Sequence, residues 1–276
     1  MIQPSAKVSV RLWRDGQDRV SQRAIPEETP LALTYDRATY AVMLGTPRDL
    51  EDFALGFSLS EGVIDDPAEI LDLAVLPQEQ GIELRMDLAP ARRTALMERR
   101  RHMAGLGGCG LCGIESLDQA LRPLPRVGAG PALEAGTIAA AMEALAPGQS
   151  LNHETHAVHA AGFFLPGTGM LAVREDVGRH NALDKLIGAL ARDGIATGQG
   201  VAVLSSRVSI ELVQKAARAG MAMIAAISAP TALAVRAAEA ACITLIGVAR
   251  ADGFEVFTHP ERVKRGRVKN AIADVA

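Results

Sequence analysis

Two cysteines, Cys109 and Cys112, stand three positions apart in GLGGCGLCGIESL (105–117), between glycines and directly after the basic run RRRHM. A thiol reacts as its thiolate, and glycine flanks leave this pair on a loose tether. Four uses compete. Structural zinc needs four ligands, normally two such pairs or one pair with two well-spaced histidines, and one pair is present. Thioredoxin-type chemistry sets the pair at a helix N-terminus after a strand, whereas LGG before Cys109 reads as a loop. A zinc deaminase carries His-x-Glu first and Pro-Cys-x-x-Cys later, but here the cysteines precede the histidines and no proline precedes Cys109. The fourth use is sulfur relay, in which a flexible thiol accepts a sulfur atom as a persulfide and swings it to an acceptor. The third cysteine, Cys242, opens an apolar run and reads as a core thiol.

Four other segments could build a site. Ser205, Ser206 and Arg207 end or follow the run VAVLSS (201–206), and Ser228 ends MAMIAAIS (221–228) just before Ala229, Pro230 and Thr231. If those runs are strands of a parallel sheet, both segments lie at strand carboxyl ends, where N–H groups, hydroxyls and helix dipoles converge on an anion. The bland alternative is that Ser206, Ser209 or Thr231 merely caps a helix. REDVGRHNALDKLIG (174–188) crowds charge into one strand-to-helix passage and offers Arg179 and His180 as pocket residues. His180 and Asp184 are four apart, so on a helix the carboxylate could orient the imidazole, with a solvated helix start as the alternative. NHETHAVHAAGFF (152–164) holds three of the six histidines. A strand over 157–164 puts His156 and His159 on opposite faces, which weakens a metal reading and leaves one of them for a pocket.

Elements that could position these residues follow from periodicity. LALTYDRATYAVML (31–44) alternates around a polar DR and predicts two short strands with a turn. In TPRDLEDFALGFSLSEGV (46–63) Thr46 can cap, Pro47 suits the first helical position, and Leu50, Phe53, Ala54 and Phe57 recur at helical spacing until Gly62. Residues 70–88 predict a strand, a PQEQG turn and a half-buried strand in which Ile82, Leu84, Met86 and Leu88 alternate. This part predicts a small α+β domain over 1–104. Arg92, Arg93, Arg99, Arg100 and Arg101, with the glycine-rich cysteine segment behind them, mark a mobile connector, and the boundary segment is set at 105–130. Over 131–276, FFLPGTGMLAV predicts a hairpin. VAVLSS, MAMIAAIS and CITLIGVA recur at a spacing of about twenty residues with amphipathic helices between them. The expectation is an α/β fold, a largely parallel sheet in three layers with helices on both faces.

Composition bounds the function. A chain of 276 residues can bury one large core or two modest ones without disulfide staples. Hydrophobic residues make up 49% but are broken throughout by charge and glycine, so no run reaches membrane-spanning length and no membrane partner is expected. The opening MIQPSAKVSVRLWRDGQ lacks the marks of a secretory signal, so the thiols are expected in the reducing cytoplasm. A net charge of −3 argues against nucleic acid as a partner.

Taken together, CGLCGIESL, THAVHAA, REDVGRHNALDKLIG, LSSRVSIELVQKAARAG, SAPTALAVRAAE and THPERV, with TPRDLEDFALGFSLSEGVI upstream, resemble the FdhD family of formate dehydrogenase accessory sulfurtransferases, from about Pro26 to Val263. The resemblance implies a sulfur carrier that takes sulfur from a cysteine desulfurase and passes it to the molybdenum cofactor, bis-molybdopterin guanine dinucleotide, before the cofactor enters apo formate dehydrogenase. It implies a larger domain similar to the cytidine deaminase fold, lacking the deaminase zinc motif, and no tightly bound metal of the protein's own. By position, Cys109 would carry the persulfide and Cys112 would assist it or resolve it as a disulfide. The family's cofactor stretch before THP corresponds to Val248, Ala249, Arg250, Ala251, Asp252 and Gly253. Beside it, Ser205, Ser206, Arg207 and Ser228 are expected at guanine-nucleotide phosphates, with Arg179 and His180 lining the pocket. The cysteine loop is expected to fold over that pocket during transfer, a homodimer interface being one arrangement that allows it. The family's GG after the threonine of THAVHAA is His156 and Ala157 here. Two other classes stay open: a cofactor chaperone with no covalent step, and a zinc hydrolase of nucleobases. The basic end KRGRVKNAIADVA reads as a solvated tail.

Overall fold

The computed structural model describes residues 2–104, 124–250 and 252–266, excluding the side chains of 98–104. Cys109, Cys112 and Ala251 lie outside the described residues, as do the side chains of Arg99, Arg100 and Arg101.

The chain opens with an antiparallel ribbon, β1 (Ser5–Arg14) and β2 (Gln17–Pro26), turned by Asp15 and Gly16, both at positive φ as a two-residue hairpin requires. A four-stranded sheet follows, from β3 (Thr29–Tyr35), β4 (Ala38–Gly45), β5 (Ile70–Gln78) and β6 (Gly81–Leu88), in the order β4-β3-β6-β5. Strand alternation sends Leu31, Leu33, Tyr35, Leu84 and Met86 to one face, where they pack on Phe53, Ala54 and Phe57 of α1 (Leu50–Ser60). These strands lie where the alternation at 31–44 and 70–88 places them. The helix begins later than expected. Asp49 is left-handed, φ 53°, and ends the extended entry, while Thr46 is no cap at all and serves another element. A second correction concerns the arginine run: α2 (Pro90–Ala104) is a helix, with Arg92 on Glu69 at 2.8 Å and paired with Asp65, and Arg93 on Asp36 at 2.7 Å. The carboxylates that neutralise its start come from turns distant in sequence, so composition alone reads the run as unpaired.

The second half contains β7 (Leu133–Glu134), α3 (Ala135–Glu143), α4 (Ser150–Thr155), β8 (His159–Leu165), β9 (Gly169–Asp176), α5 (Arg179–Arg192), β10 (Val201–Leu204), α6 (Ile210–Arg218), β11 (Met223–Ala226), α7 (Ala232–Ala240), β12 (Thr244–Arg250), β13 (Gly253–Val256) and β14 (Val263–Lys264). Six of these strands form one sheet in the order β13-β12-β11-β10-β8-β9. The three recurrent apolar runs are its parallel centre, β10, β11 and β12. The sheet is nonetheless mixed rather than largely parallel, because β8, β9 and β13 pair antiparallel. Tight turns can only return a strand antiparallel, so the β8–β9 hairpin and the short β12–β13 turn dictate this. Helices cover both faces as expected. Leu186, Leu212 and Ala234 of α5, α6 and α7 pack on Phe163, Leu204 and Ile224, while Ile138 and Ala141 of α3 lie against Val203, Met223 and Ile246. Burial on both faces is why β10 and β11 read as unbroken apolar runs. The THP motif closes the sheet: Thr258 Oγ1 donates to the Ile243 carbonyl at 2.7 Å and accepts from Leu245 N–H at 2.8 Å. Among the described residues no helix is long and apolar enough to cross a membrane.

Helices α1 and α5 touch backbone to backbone. A Cβ on Gly56 would lie 1.7 Å from the Asp184 carbonyl oxygen, and one on Gly188 would lie 1.9 Å from that of Asp52. Glycine at both positions is therefore the condition for this crossing.

Candidate functional site

The carboxyl ends of β10, β11 and β12 share one edge of the large sheet, and antiparallel β8 brings His159 to it. Ala161 pairs with Leu204, and Ser205 Oγ accepts from Ala160 N–H at 2.8 Å. His159 lies opposite Asp176 at the end of β9, so the first turn of α5, with Arg179 and His180, arrives beside it. Neither Gly178 nor Ser209 closes its helix with a side-chain cap, so the first-turn N–H groups of α5 and α6 are not taken by side chains. Thr231, by contrast, accepts from Ala234 N–H at 3.2 Å and is the simple cap that the bland alternative describes.

The edge is cationic. Arg207 is exposed, and Arg179 Nε is a buried donor with no acceptor among the described residues, a state that is costly unless an anion relieves it. Burial lowers the His159 pKa, and Arg179 lowers it further. His180 is lowered first by burial and then by Arg179 and Lys215, against the opposing pull of Glu211. Its Nε2 lies 2.7 Å from Glu211 and 3.3 Å from Ser209 Oγ. Ser206 is buried and donates to the Arg207 carbonyl at 3.0 Å, so Ser205 and Ser206 form the wall of the edge with their hydroxyls engaged internally. His159, Ser209 and Glu211 complete the cluster. Sequence reasoning left His156 and His159 as alternatives for a pocket and offered Ser209 only as a helix-start hydroxyl; it missed Glu211, which SSRVSIE places in the first turn of the same helix.

Further along, Val248 N–H donates to the Ser228 carbonyl at 3.3 Å, which joins the β11 end to the expected cofactor stretch. Val248, Ala249 and Arg250 belong to β12 itself rather than to a loop, at a bulge where Val248 is left-handed, φ 52°. A β-branched residue in that region is strained, which marks the bulge as imposed by its surroundings. Ala249 is buried, Arg250 and Asp252 are exposed, and Gly253 starts β13. From β8 to β12 is three strand steps, about 14 Å, so the edge is long enough for an extended anionic ligand.

Most of REDVGRHNALDKLIG serves a different purpose. Asp176, fully buried, accepts from Thr46 N–H at 2.9 Å, Gly178 N–H at 2.7 Å and Asn181 Nδ2 at 3.1 Å, and pairs with buried Lys185 at 2.7 Å. Lys185 also donates to the Thr46 carbonyl at 2.9 Å, and Thr46 Oγ1 accepts from Val177 N–H at 3.1 Å. Asp184 does not orient His180. It accepts from Ser60 Oγ at 2.6 Å and pairs with Lys215 at 3.0 Å, because its side of α5 faces α1 and α6. Arg174 binds Asp52 at 2.7 Å, and Glu175 accepts from Leu151 and Asn152 N–H at 2.8 and 2.7 Å. His156 ends α4 in a left-handed turn, is exposed, and leaves the edge to His159. Cys242, half-buried, receives Arg126 Nη2 at 3.0 Å. Among the described residues no three His, Cys, Asp or Glu side chains gather into a metal-binding group.

Fold and edge together define an α/β protein with a cationic strand edge. The chain belongs to the FdhD/NarQ family, whose model matches residues 26–264. It is 50% identical over 258 residues to the sulfur carrier protein FdhD of Agrobacterium fabrum, covering 93% of this chain and 95% of that one. It is 46% identical over 267 residues to the protein of the same name from Xanthomonas campestris pv. campestris, covering 96% and 95%. Among solved structures it resembles a candidate formate dehydrogenase accessory protein from Desulfotalea psychrophila, with a TM-score of 0.75 and 23% identity over 94% of this chain and 99% of that one. At that identity the likeness speaks for the fold.

Proposed function

We propose that this protein is a sulfurtransferase of the carrier type, which takes sulfur on Cys109 from a cysteine desulfurase and delivers it to the molybdenum cofactor destined for formate dehydrogenase. The observation that carries the reading is its similarity, at 46–50% identity over nearly the whole chain, to proteins named sulfur carrier protein FdhD. The Cys109 thiolate attacks the outer sulfur of the donor persulfide, so that Cys109 gains the S–SH group and the donor leaves as a thiolate. Delivery balances if the Cys112 thiolate then attacks the inner sulfur. The S–S bond of the persulfide breaks, a Cys109–Cys112 disulfide forms, and sulfide leaves toward the metal, with a dithiol reductant restoring the pair. The cationic edge fits the cargo, because Arg179, Arg207 and the open first turns of α5 and α6 offer donors to the phosphates of a guanine dinucleotide. The same reading takes the six-stranded sheet as cytidine-deaminase-like, sets domains at 1–104 and 131–276 with 105–130 between them, and places the protein in the cytoplasm.

Incubation with desulfurase and cysteine, followed by alkylation and peptide mass spectrometry, tests the covalent step. A gain of one sulfur on the peptide holding Cys109 and Cys112, lost in Cys109→Ala, is expected. No gain with an active desulfurase would leave the cofactor-chaperone reading in its place.

The edge makes its own prediction, read with GDP as probe. His159 and His180 have pKa values below the ordinary 6.5, so both are neutral at pH 7.5. A bound anion prefers imidazolium, so GDP affinity rises as pH falls toward the lowered pKa values of the two histidines, by up to about tenfold per pH unit for each proton taken up. Calorimetry on the His159→Gln/His180→Gln variant removes the proton uptake of the phosphates from the comparison. An identical pH profile in that variant refutes the histidine contribution.

A further inference from the structure

Two ion-paired rungs, one helical turn apart, join α5 to α6. The inner rung is Asp184 with Lys215 at 3.0 Å, and Lys215 Nζ also donates to Ser60 and Glu61 at the end of α1, at 3.0 and 2.9 Å. Asp184 and Lys215 are both buried. The outer rung is His180 with Glu211 at 2.7 Å, where the side chains are 28% and 43% exposed at the cationic edge. His180 and Asp184 are four residues apart, and so are Glu211 and Lys215, so each pair shares one face of its helix. The buried rung therefore sets the phase of the two helices and fixes how the outer pair meets.

Glu211 is out of keeping with its surroundings. Arg179 and Arg207 make the edge cationic, and a carboxylate among them repels any anion received there. An acid in the first turn favours the start of α6. That effect needs no contact with His180, whereas Glu211 reaches the ring and also accepts from Ser209 Oγ at 3.4 Å.

The contact decides the tautomer of the imidazole. An ionised carboxylate can only accept, so Nε2 of His180 carries the hydrogen and Nδ1 holds the lone pair. Nδ1 has no partner among the described residues. Arg179 on α5 and Lys215 on α6 oppose a charge on the ring, and Glu211 favours one. The other ionisable groups on the packed elements are engaged elsewhere or are neutral: Asp184 and Glu61 bind Lys215, Asp176 of β9 binds Lys185, and His159 of β8 is uncharged at pH 7.5.

We propose that Glu211 is a positioning residue: by holding the Nε2–H of His180 it leaves Nδ1 as the atom through which the edge takes up a proton together with its anionic ligand. The proton comes from solvent, bonds to Nδ1 and returns to solvent when the ligand leaves. Charging the ring turns the His180–Glu211 pair from an anion into a neutral ion pair, so the repulsion of the ligand falls in the same event that supplies a new donor. This role rests on the reading of the edge as the nucleotide site.

The first measurement needs no ligand. NMR of the full chain with 15N-labelled histidine, His180 being assigned with His180→Gln, should show the Nε2–H tautomer at pH 7.5. In Glu211→Gln the protonation midpoint of His180 should fall by about one pH unit or more, because an opposite charge in contact with the ring is lost. The second measurement is GDP affinity against pH, by calorimetry, for proteins with and without Glu211→Gln. Both carry His159→Gln, so that the protons of the ligand cancel and His159 is silent. The acid rise in affinity should move to lower pH with the midpoint, while affinity at pH 7.5 is kept or increased, since a carboxylate has gone. A residue that only stabilised α6 would instead lower affinity at every pH. An Nδ1–H tautomer, an unmoved midpoint or an unmoved affinity profile overturns the proposal. Wild type that binds no GDP refutes the nucleotide reading of the edge, and the NMR result then still decides whether Glu211 holds His180.

Discussion

Alanine at Gly188 is expected to abolish the folded state, and alanine at Gly56 to do the same. Each new methyl would sit inside van der Waals contact of a backbone carbonyl on the facing helix, at 1.9 and 1.7 Å, where no rotamer change can relieve it. The helices would have to separate. α1 covers the core of the small sheet and α5 covers one face of the large one, so separation opens both cores at once. Overpacking against side chains costs about 1–3 kcal/mol. Against two backbones the cost should exceed about 4 kcal/mol, a large share of the 5–15 kcal/mol that typically holds a protein folded. Soluble yield and thermal melting are the measurements. Gly128→Ala is the control, because a Cβ there meets nothing within 4 Å. A Gly188→Ala protein melting within a few degrees of wild type would show that the helices can slide apart cheaply.

The second large effect is expected from Lys185→Met. Lys185 and Asp176 are both fully buried, and burial pulls the lysine below its ordinary pKa even though Asp176 pulls the other way. Removing the ammonium leaves a buried carboxylate with only neutral donors, from Thr46, Gly178 and Asn181. Breaking such a pair costs about 3–5 kcal/mol, a fall of roughly 6–20 °C in melting temperature for a chain of this size. The double variant Lys185→Met/Asp176→Asn should recover part of the loss, since no charge is then stranded. Equal melting of the single and double variants would mean that Asp176 is satisfied without the lysine. The pair also binds the Thr46 turn to the turn that begins α5, so the GDP binding proposed for Arg179 should weaken in the single variant at temperatures where it remains folded.

How much of this was legible in the sequence varied with the range of the interaction. The strands at 31–44 and 70–88, the β8–β9 hairpin and the three parallel runs were readable because period-two alternation and continuous apolar runs are local records of burial. The start of α1 was misplaced because Thr46 and Pro47 form a plausible cap locally, while the real partners of Thr46, Asp176 and Val177, are some 130 residues away. The arginine run from Arg92 was read as a connector for the same reason.

The site shows the same division. Residue types at strand carboxyl ends pointed to Arg207, Ser228 and the α5 start, and the structure does set Arg179, His180, Ser205, Ser206 and Arg207 on one edge. Which side chains remain open there is a tertiary matter: Ser205 and Ser206 spend their hydroxyls on neighbouring backbone, whereas Arg179 Nε has no acceptor. The sequence by itself determined the family, the cysteine pair, the strand pattern and the parallel order of β10, β11 and β12, because each is carried by neighbours in the chain. Only the tertiary structure decided that Asp184 serves Lys215 and not His180, that Gly56 and Gly188 meet, and that His159 joins the edge. Those outcomes depend on which helix face turns toward which partner, and that is settled by packing between segments from some twenty to more than a hundred residues apart.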